Sequence, residues 1–152
     1  MTGARSKFDS DTASVARAEH FPHDADVGVR GIGATREIAF AQAAAALSAL
    51  VVDLAAVKEK RVVVIECEAP DERLLLADFL NAIIYRMAVD HMLFSRFDVT
   101  IDGQKLTARA WGEPLDIVRH TPAVEPKGAT YTALKVEQRA DKAWVAQCVV
   151  DV

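Results

Sequence analysis

The chain has 152 residues, is 51% hydrophobic and carries a formal net charge of −4. That suits one globular domain with a core large enough to need no staples. The acidic balance argues against an autonomous nucleic-acid binder, which presents a basic face, and the cysteine count argues against a disulfide scaffold. The two cysteines, Cys67 and Cys148, lie in apolar, strand-like runs without a CxxC or Cys/His pattern. They read as small core residues in a reducing cytoplasm.

Residues 1–18 are rich in Ser, Thr, Asp and Ala and have no apolar signal core, so they read as a disordered tail before a single domain over 19–152. Residues 27–32 alternate and predict a strand that Gly33 ends. Thr35 is placed to cap a helix with Glu37 in its first turn, running to about residue 53. Its apolar stretch, 38–52, is shorter than the roughly 20 residues a membrane span needs. It is expected as a core helix against a sheet, with no membrane role.

Residues 61–68 are β-branched and predict a strand. Pro70-Asp71-Glu72 opens a second helix, in which Leu76, Phe79, Leu80, Ile83 and Met87 form one apolar stripe; it ends near His91. Residues 94–101 and 106–111 flank Asp102-Gly103, a strong antiparallel hairpin signal. Residues 112–127 contain Pro114, Pro122 and Pro126 and predict a long irregular loop. Residues 129–137 and 143–151 form a second hairpin around Ala140-Asp141-Lys142. The order β-α-β-α-β-β-β-β is an α+β fold, with two helices packed on one face of a mostly antiparallel sheet.

Three groups of residues have chemical potential. His23-Asp24-Ala25-Asp26 precedes the first predicted strand; on an extended segment Asp24 and Asp26 point to one side, where paired carboxylates suit Ca²⁺ or Mg²⁺. The same residues also suit a turn, because Asp caps its own backbone. The second group is Asp151 with Val152, where a side-chain carboxylate and a terminal carboxylate adjoin at the end of a strand. They read either as half of a cation site or as a charge that protects a sheet edge. The third group is Glu113, His120 and Lys127 around the proline-rich loop, a set with acid–base capacity or simply solvated loop residues. No nucleophile elbow, phosphate-binding loop or dinucleotide fingerprint accompanies them.

Together these segments resemble the archease family. The resemblance rests on His23-Asp24-Ala25-Asp26-Val27-Gly28, Leu93-Phe94-Ser95-Arg96-Phe97, Gly112-Glu113-Pro114-Leu115-Asp116 with Arg119-His120, Lys127-Gly128-Ala129-Thr130-Tyr131, and Val150-Asp151-Val152. It covers residues 19–152 in the family's order. It implies a small cytoplasmic, non-catalytic protein that promotes guanylylation and multiple turnover of an RtcB-type RNA-splicing ligase in tRNA splicing and RNA repair. RNA is then contacted only indirectly. It also implies a divalent site, most readily Ca²⁺ with Mg²⁺ or Mn²⁺ as alternatives, on Asp26, Asp151 and the main-chain oxygens of Val152. His23, Asp24, Glu113, His120 and Lys127 are accessory candidates. The chain departs from the family pattern at Asp24, usually Thr, at Thr132, often His, and at Gly128-Ala129, more usually Ala-Val. Two other functions fit the same residues: a metal-dependent phosphoesterase with Asp26, Asp151 and His23 around the ion, and a chaperone-like adaptor for RNA-modifying enzymes.

Overall fold

The structure is a computed structural model and describes residues 16–152. In chain order it comprises β1 (Ala16–His23), β2 (Asp26–Gly33), α1 (Arg36–Val51), a 3₁₀ turn (Leu54–Ala56), β3 (Arg61–Glu68), α2 (Glu72–Asp90), β4 (Met92–Asp102), β5 (Lys105–Pro114), α3 (Ile117–His120), β6 (Gly128–Ala129), β7 (Lys135–Gln138) and β8 (Trp144–Asp151). The fold is α+β, with three α-helices and antiparallel strand pairing throughout among the described residues. Two sheets replace the expected single one. One is ordered β1-β2-β8, with β6 and β7 side by side along the far edge of β8; the other is ordered β3-β5-β4.

Both expected helices form where their caps predict. The Thr35 hydroxyl accepts the Ile38 N–H at 3.1 Å, and the Asp71 carboxylate accepts from Arg73 and Leu74 at 2.9 Å. The first helix stops at Val51, and Asp53 instead caps the 3₁₀ turn through the Ala55 N–H. Helix α1 is buried through Ala39, Phe40, Ala43, Ala44 and Leu47 and touches strands of both sheets. Gly31 explains the alanines opposite it. A Cβ at that position would collide with the Ala39 carbonyl oxygen and the Ala43 nitrogen, so β2 lies directly on the helix backbone. The stripe of α2 adds Leu76, Phe79, Leu80 and Ile83, with the Phe79 ring edge-on to Phe97 at 6.5 Å.

Strand β1 is the main element absent from the sequence expectation. Its residues 16–18 fall in the stretch expected as a tail, the rest of which (1–15) lies outside the described residues. The strand is at a sheet edge and mostly exposed, so it shows charged residues and Pro22 in place of a clean alternation. The loop expected over 112–127 is shorter. Strand β5 continues to Pro114, and Asp116 caps the single turn of α3 by accepting the Arg119 N–H at 3.2 Å. The second hairpin is interrupted: Ala133 has a φ of 54°, and β6 and β7 pair separately with the two ends of β8. Cys67 and Cys148 are free, as expected; burial pushes their thiols up to about 11 and about 12.

Candidate metal centre

Strands β2 and β8 are central neighbours, and their register positions the two principal acids. Val27 pairs with Val150, so one step further along the ladder Asp26 stands opposite Asp151. On their outer sides, His23 pairs with Asp26 and Gly128 with Asp151. The row therefore reads His23, Asp26, Asp151, Gly128 across four strands. Residues directly opposite in an antiparallel pair project from the same face. Val29, Cys148 and Val150 of the intervening positions are in the hydrophobic core, which puts Asp26 and Asp151 on the solvent face. Asp26 is half-buried and Asp151 is exposed.

Like charges directly opposite one another destabilise a strand pair. Among the described residues neither Asp26 nor Asp151 has a salt-bridge partner. The two carboxylates, adjoined by the half-buried Val152, are hard oxygen donors that suit a partly hydrated cation such as Ca²⁺ or Mg²⁺, and His23 stands opposite Asp26 at the row's end. Among the described residues no three His, Cys, Asp or Glu side chains converge as a ready-made cage. Two side-chain carboxylates, main-chain oxygen and water would have to complete the shell.

The rest of the row is held from outside. The Lys127 N–H donates to the Asp151 carbonyl oxygen at 2.8 Å. Asn81, on α2, clasps Ala129 twice: its Oδ1 accepts the Ala129 N–H at 2.8 Å and its Nδ2 donates to the Ala129 carbonyl at 3.3 Å. The Thr130 hydroxyl donates to the Val149 carbonyl at 2.8 Å. Sequence reasoning misses Asn81, because its only signal is a polar residue off the helix's apolar stripe.

Asp24 does not join Asp26. It occupies the first position of the two-residue β1–β2 turn with a φ of 50°, and its side chain is 95% exposed. The extended geometry that would have aligned the two acids is broken there, and turn chemistry accounts for the residue. The His23 ring nitrogen Nδ1 is 4.0 Å from the Asp24 carboxylate.

The third group separates into two places. Lys127 adjoins Asp151 through its backbone, whereas Glu113 and His120 are 1% and 3% exposed and form a buried clasp at the end of β5. His120 Nδ1 accepts the Asp116 N–H at 2.9 Å, which leaves the proton on Nε2 to be donated to Glu113 Oε2 at 3.0 Å. The same Oε2 accepts the Lys58 N–H at 2.8 Å, and Oε1 faces Arg119 at 2.6 Å and Lys60 at 3.6 Å. The Arg119 hydrogen bond, followed by that of the Lys58 N–H, holds the Glu113 carboxyl well below the usual carboxylate range. Both of its oxygens are fully engaged, which describes a structural tie and not an acid or base awaiting a substrate. Arg119, the member that completes it, is marked in the sequence only by the family resemblance, with no role attached.

The geometry defines an α+β domain with a paired-carboxylate row at the end of its five-stranded sheet. The family model of the archease protein family matches residues 19–152. The chain is 39% identical over 140 residues to the protein archease of Pyrococcus abyssi, covering 90% of this chain and 99% of that one. It is 42% identical over 138 residues to that of Methanopyrus kandleri, covering 88% and 98%. The solution structure of protein 1598 from Methanobacterium thermoautotrophicum matches with a TM-score of 0.78 at 27% identity, over 89% of this chain and 98% of that one. The crystal structure of an archease from Thermotoga maritima, described as a possible chaperone, shares the fold with a TM-score of 0.55 at 15% identity, over 88% and 96%. The chain belongs to the archease family. No helix among the described residues is long and apolar enough to cross a membrane.

Proposed function

We propose that this protein is a non-catalytic activator of an RtcB-type RNA-splicing ligase, acting in tRNA splicing and RNA repair through a divalent cation held by Asp26, Asp151 and the main-chain oxygens of Val152. The observation that carries this reading is the opposed carboxylate pair of Asp26 and Asp151 on an exposed face. When bound, the cation supplies positive charge that neutralises the pair and attracts phosphate oxygens at the ligase's nucleotide site. The chain's own residues set the place: β2 and β8 fix the carboxylate spacing, and Lys127 and Asn81 fix the β6 edge beside it. Ca²⁺ is the first choice of ion, with Mg²⁺ and Mn²⁺ as alternatives. Contact with the ligase is protein to protein, and RNA is engaged only through the ligase.

The test is ligase guanylylation with and without this protein and its Asp151→Ala variant, in defined metals. Stimulation by the wild type and none by the variant is expected; equal stimulation by both would sink the cation role. A second reading, a chaperone-like adaptor, has support from the description of the Thermotoga maritima relative. Under that reading the variant would still stimulate, and capture experiments would return RNA-modifying enzymes other than the ligase. A phosphoesterase role needs a pocket around the ion. The apolar cavity of about 320 Å³ lies elsewhere, between Val51, Met87, Leu93 and Pro122, and the open face around Asp26 favours display over catalysis.

A further inference from the structure

The five-stranded sheet carries a second group of charges in its middle, on the face turned away from α1. On β2, Gly31 lies against the helix and Val29 is in the core, so alternation turns Arg30 and Ile32 to the other side. The register extends that side across four strands. Glu19 of β1 is opposite Arg30, Arg30 is opposite Gln147 of β8, and Gln147 is opposite Lys135 of β7. A cavity of about 240 Å³ opens here. Its floor is apolar: Ile32 and Val145 are buried and cluster with Ala143, apart from the main core. Its rim is charged, with Arg17, Arg30, Lys135 and Arg139 against Glu19 and Glu137. Glu19 is shared between Arg17 at 3.2 Å and Arg30 at 3.4 Å, and Lys135 has Glu137 at 3.7 Å. Asp141, outside the cavity, pairs with Arg139 at 2.8 Å. Even with Asp141 counted, the rim keeps an excess positive charge, on a chain whose net charge is −4.

Arg30 is the best held of the four cations. Gly28 has no Cβ to strike the Phe21 ring, so the ring lies across β2 and the Arg30 guanidinium stacks on it at 4.6 Å. Arg30 Nε donates to Gln147 Oε1 at 2.9 Å. Gln147 is itself oriented by donating to the Ala133 carbonyl at 3.2 Å. Among the described residues, two of the five guanidinium N–H groups donate, to Gln147 and Glu19, and the others are free for a ligand. We infer that this cavity binds one phosphate group as its dianion, with Arg30 as the principal donor and Arg17, Lys135 and Arg139 supplying further charge. A guanidinium fork matches paired phosphate oxygens. The cations approach from both sides of β8, which suits a tetrahedral anion with several oxygens better than a carboxylate with two. The apolar floor strengthens each of these interactions. The volume is below the roughly 300–1,000 Å³ of ordinary ligand pockets. It therefore takes a single phosphate group, either free or at the end of a small phosphomonoester. Asp26 lies on the same strand and face, four residues from Arg30, or about 13 Å. One phosphate cannot reach both places, so binding here needs neither Asp26 nor Asp151.

The experiment is titration calorimetry of the full chain with inorganic phosphate, in chelator and at constant ionic strength, repeated with glycerol phosphate and with succinate. One phosphate per chain is expected, bound more tightly than succinate. Arg30→Gln should weaken binding about tenfold or more, because a charge-assisted hydrogen bond is lost. Lys135→Gln and Arg17→Gln should weaken it by smaller factors. Those two side chains are 51% and 54% exposed, so both variants keep the fold and decide the matter if circular dichroism shows that Arg30→Gln does not. Glu137→Gln removes a competing carboxylate and should tighten binding. Glycerol phosphate bound more tightly than inorganic phosphate assigns the cavity to a phosphomonoester; otherwise the ligand is free phosphate. The proposal is overturned by no binding in chelator, by succinate binding as tightly as phosphate, or by affinity unchanged in Arg30→Gln, Lys135→Gln and Arg17→Gln. Binding that requires Ca²⁺ and disappears in Asp151→Ala would also overturn it, by returning the phosphate to the cation row.

Discussion

Two acidic regions of this molecule use the same functional group in opposite ways. At the end of β5, one carboxylate, Glu113, is buried and engages four partners: the Lys58 N–H, His120, Arg119 and Lys60. On the β2–β8 row, two carboxylates stand opposite each other, Asp26 half-buried and Asp151 exposed, with no cationic side chain among the described residues paired to either. A buried charge is tolerable only when it is paired and hydrogen-bonded, so Glu113 has no capacity left for a ligand. An opposed pair at the surface is tolerated because water screens it, and its capacity is unused. Exposure and unmet charge, more than residue type, separate the displayed site from the internal tie.

The largest expected effect comes from dismantling the tie. Glu113→Ala strands Arg119, the Lys58 N–H and the His120 Nε2–H together, and buried donors without acceptors are expensive. Its melting temperature should fall further than that of Arg119→Ala or of any substitution on the open row, in a thermal scan without divalent ions. The same carboxylate predicts a pH dependence. Its folded-state pKa lies below the ordinary 4.5, so the folded state binds the proton less readily than the unfolded chain. The stabilisation is full above that ordinary value and is lost as pH falls below it. Urea midpoints measured from about pH 5 down to about pH 3 should therefore drop more steeply for the wild type than for Glu113→Gln. Equal slopes would mean that Glu113 is not the ionised hub of the clasp.

The two regions also differ in how far they can be read from sequence. The helices are legible because their caps, Thr35 and Asp71, and their apolar spacing are local signals. Strand β1 is not, because an edge strand that is mostly solvent-facing shows no clean two-residue period. Asp26 and Asp151 can be named singly, and their pairing is implied only by the family resemblance. Their opposition is a register property of strands more than a hundred residues apart, which no local pattern encodes. Glu113 and His120 stand out as a loop cluster, but chain position groups Lys127 with them in place of Arg119. Proximity in the chain is the only local guide, and it cannot tell which side of a loop turns inward.

The next effect in size belongs to the open row and has the opposite sign. If Asp26 and Asp151 hold a divalent cation, Ca²⁺ at a hundredfold its Kd should stabilise the wild type by about 2.7 kcal/mol. Asp151→Asn and Asp26→Asn should each abolish that gain and with it the stimulation of ligase guanylylation. Without divalent ions the same substitutions relieve a like-charge contact, so each should leave stability unchanged or raise it by about 0.2–1 kcal/mol. Paired scans with Ca²⁺ and with a chelator check both statements. A loss of stability in chelator would mean that these acids, like Glu113, serve the fold.

The smallest effect tests where the buried tie ends. Lys60 is 3.6 Å from Glu113, but its side chain is 59% exposed, whereas Arg119 reaches the same oxygen at 2.6 Å. Water competes for an exposed ammonium, and such pairs contribute about 0–1 kcal/mol. Glu113 also keeps its other three donors when Lys60 is removed. Lys60→Ala should therefore change stability by less than about 0.5 kcal/mol, far less than Arg119→Ala, as measured by chemical denaturation. A large loss would place Lys60 inside the clasp.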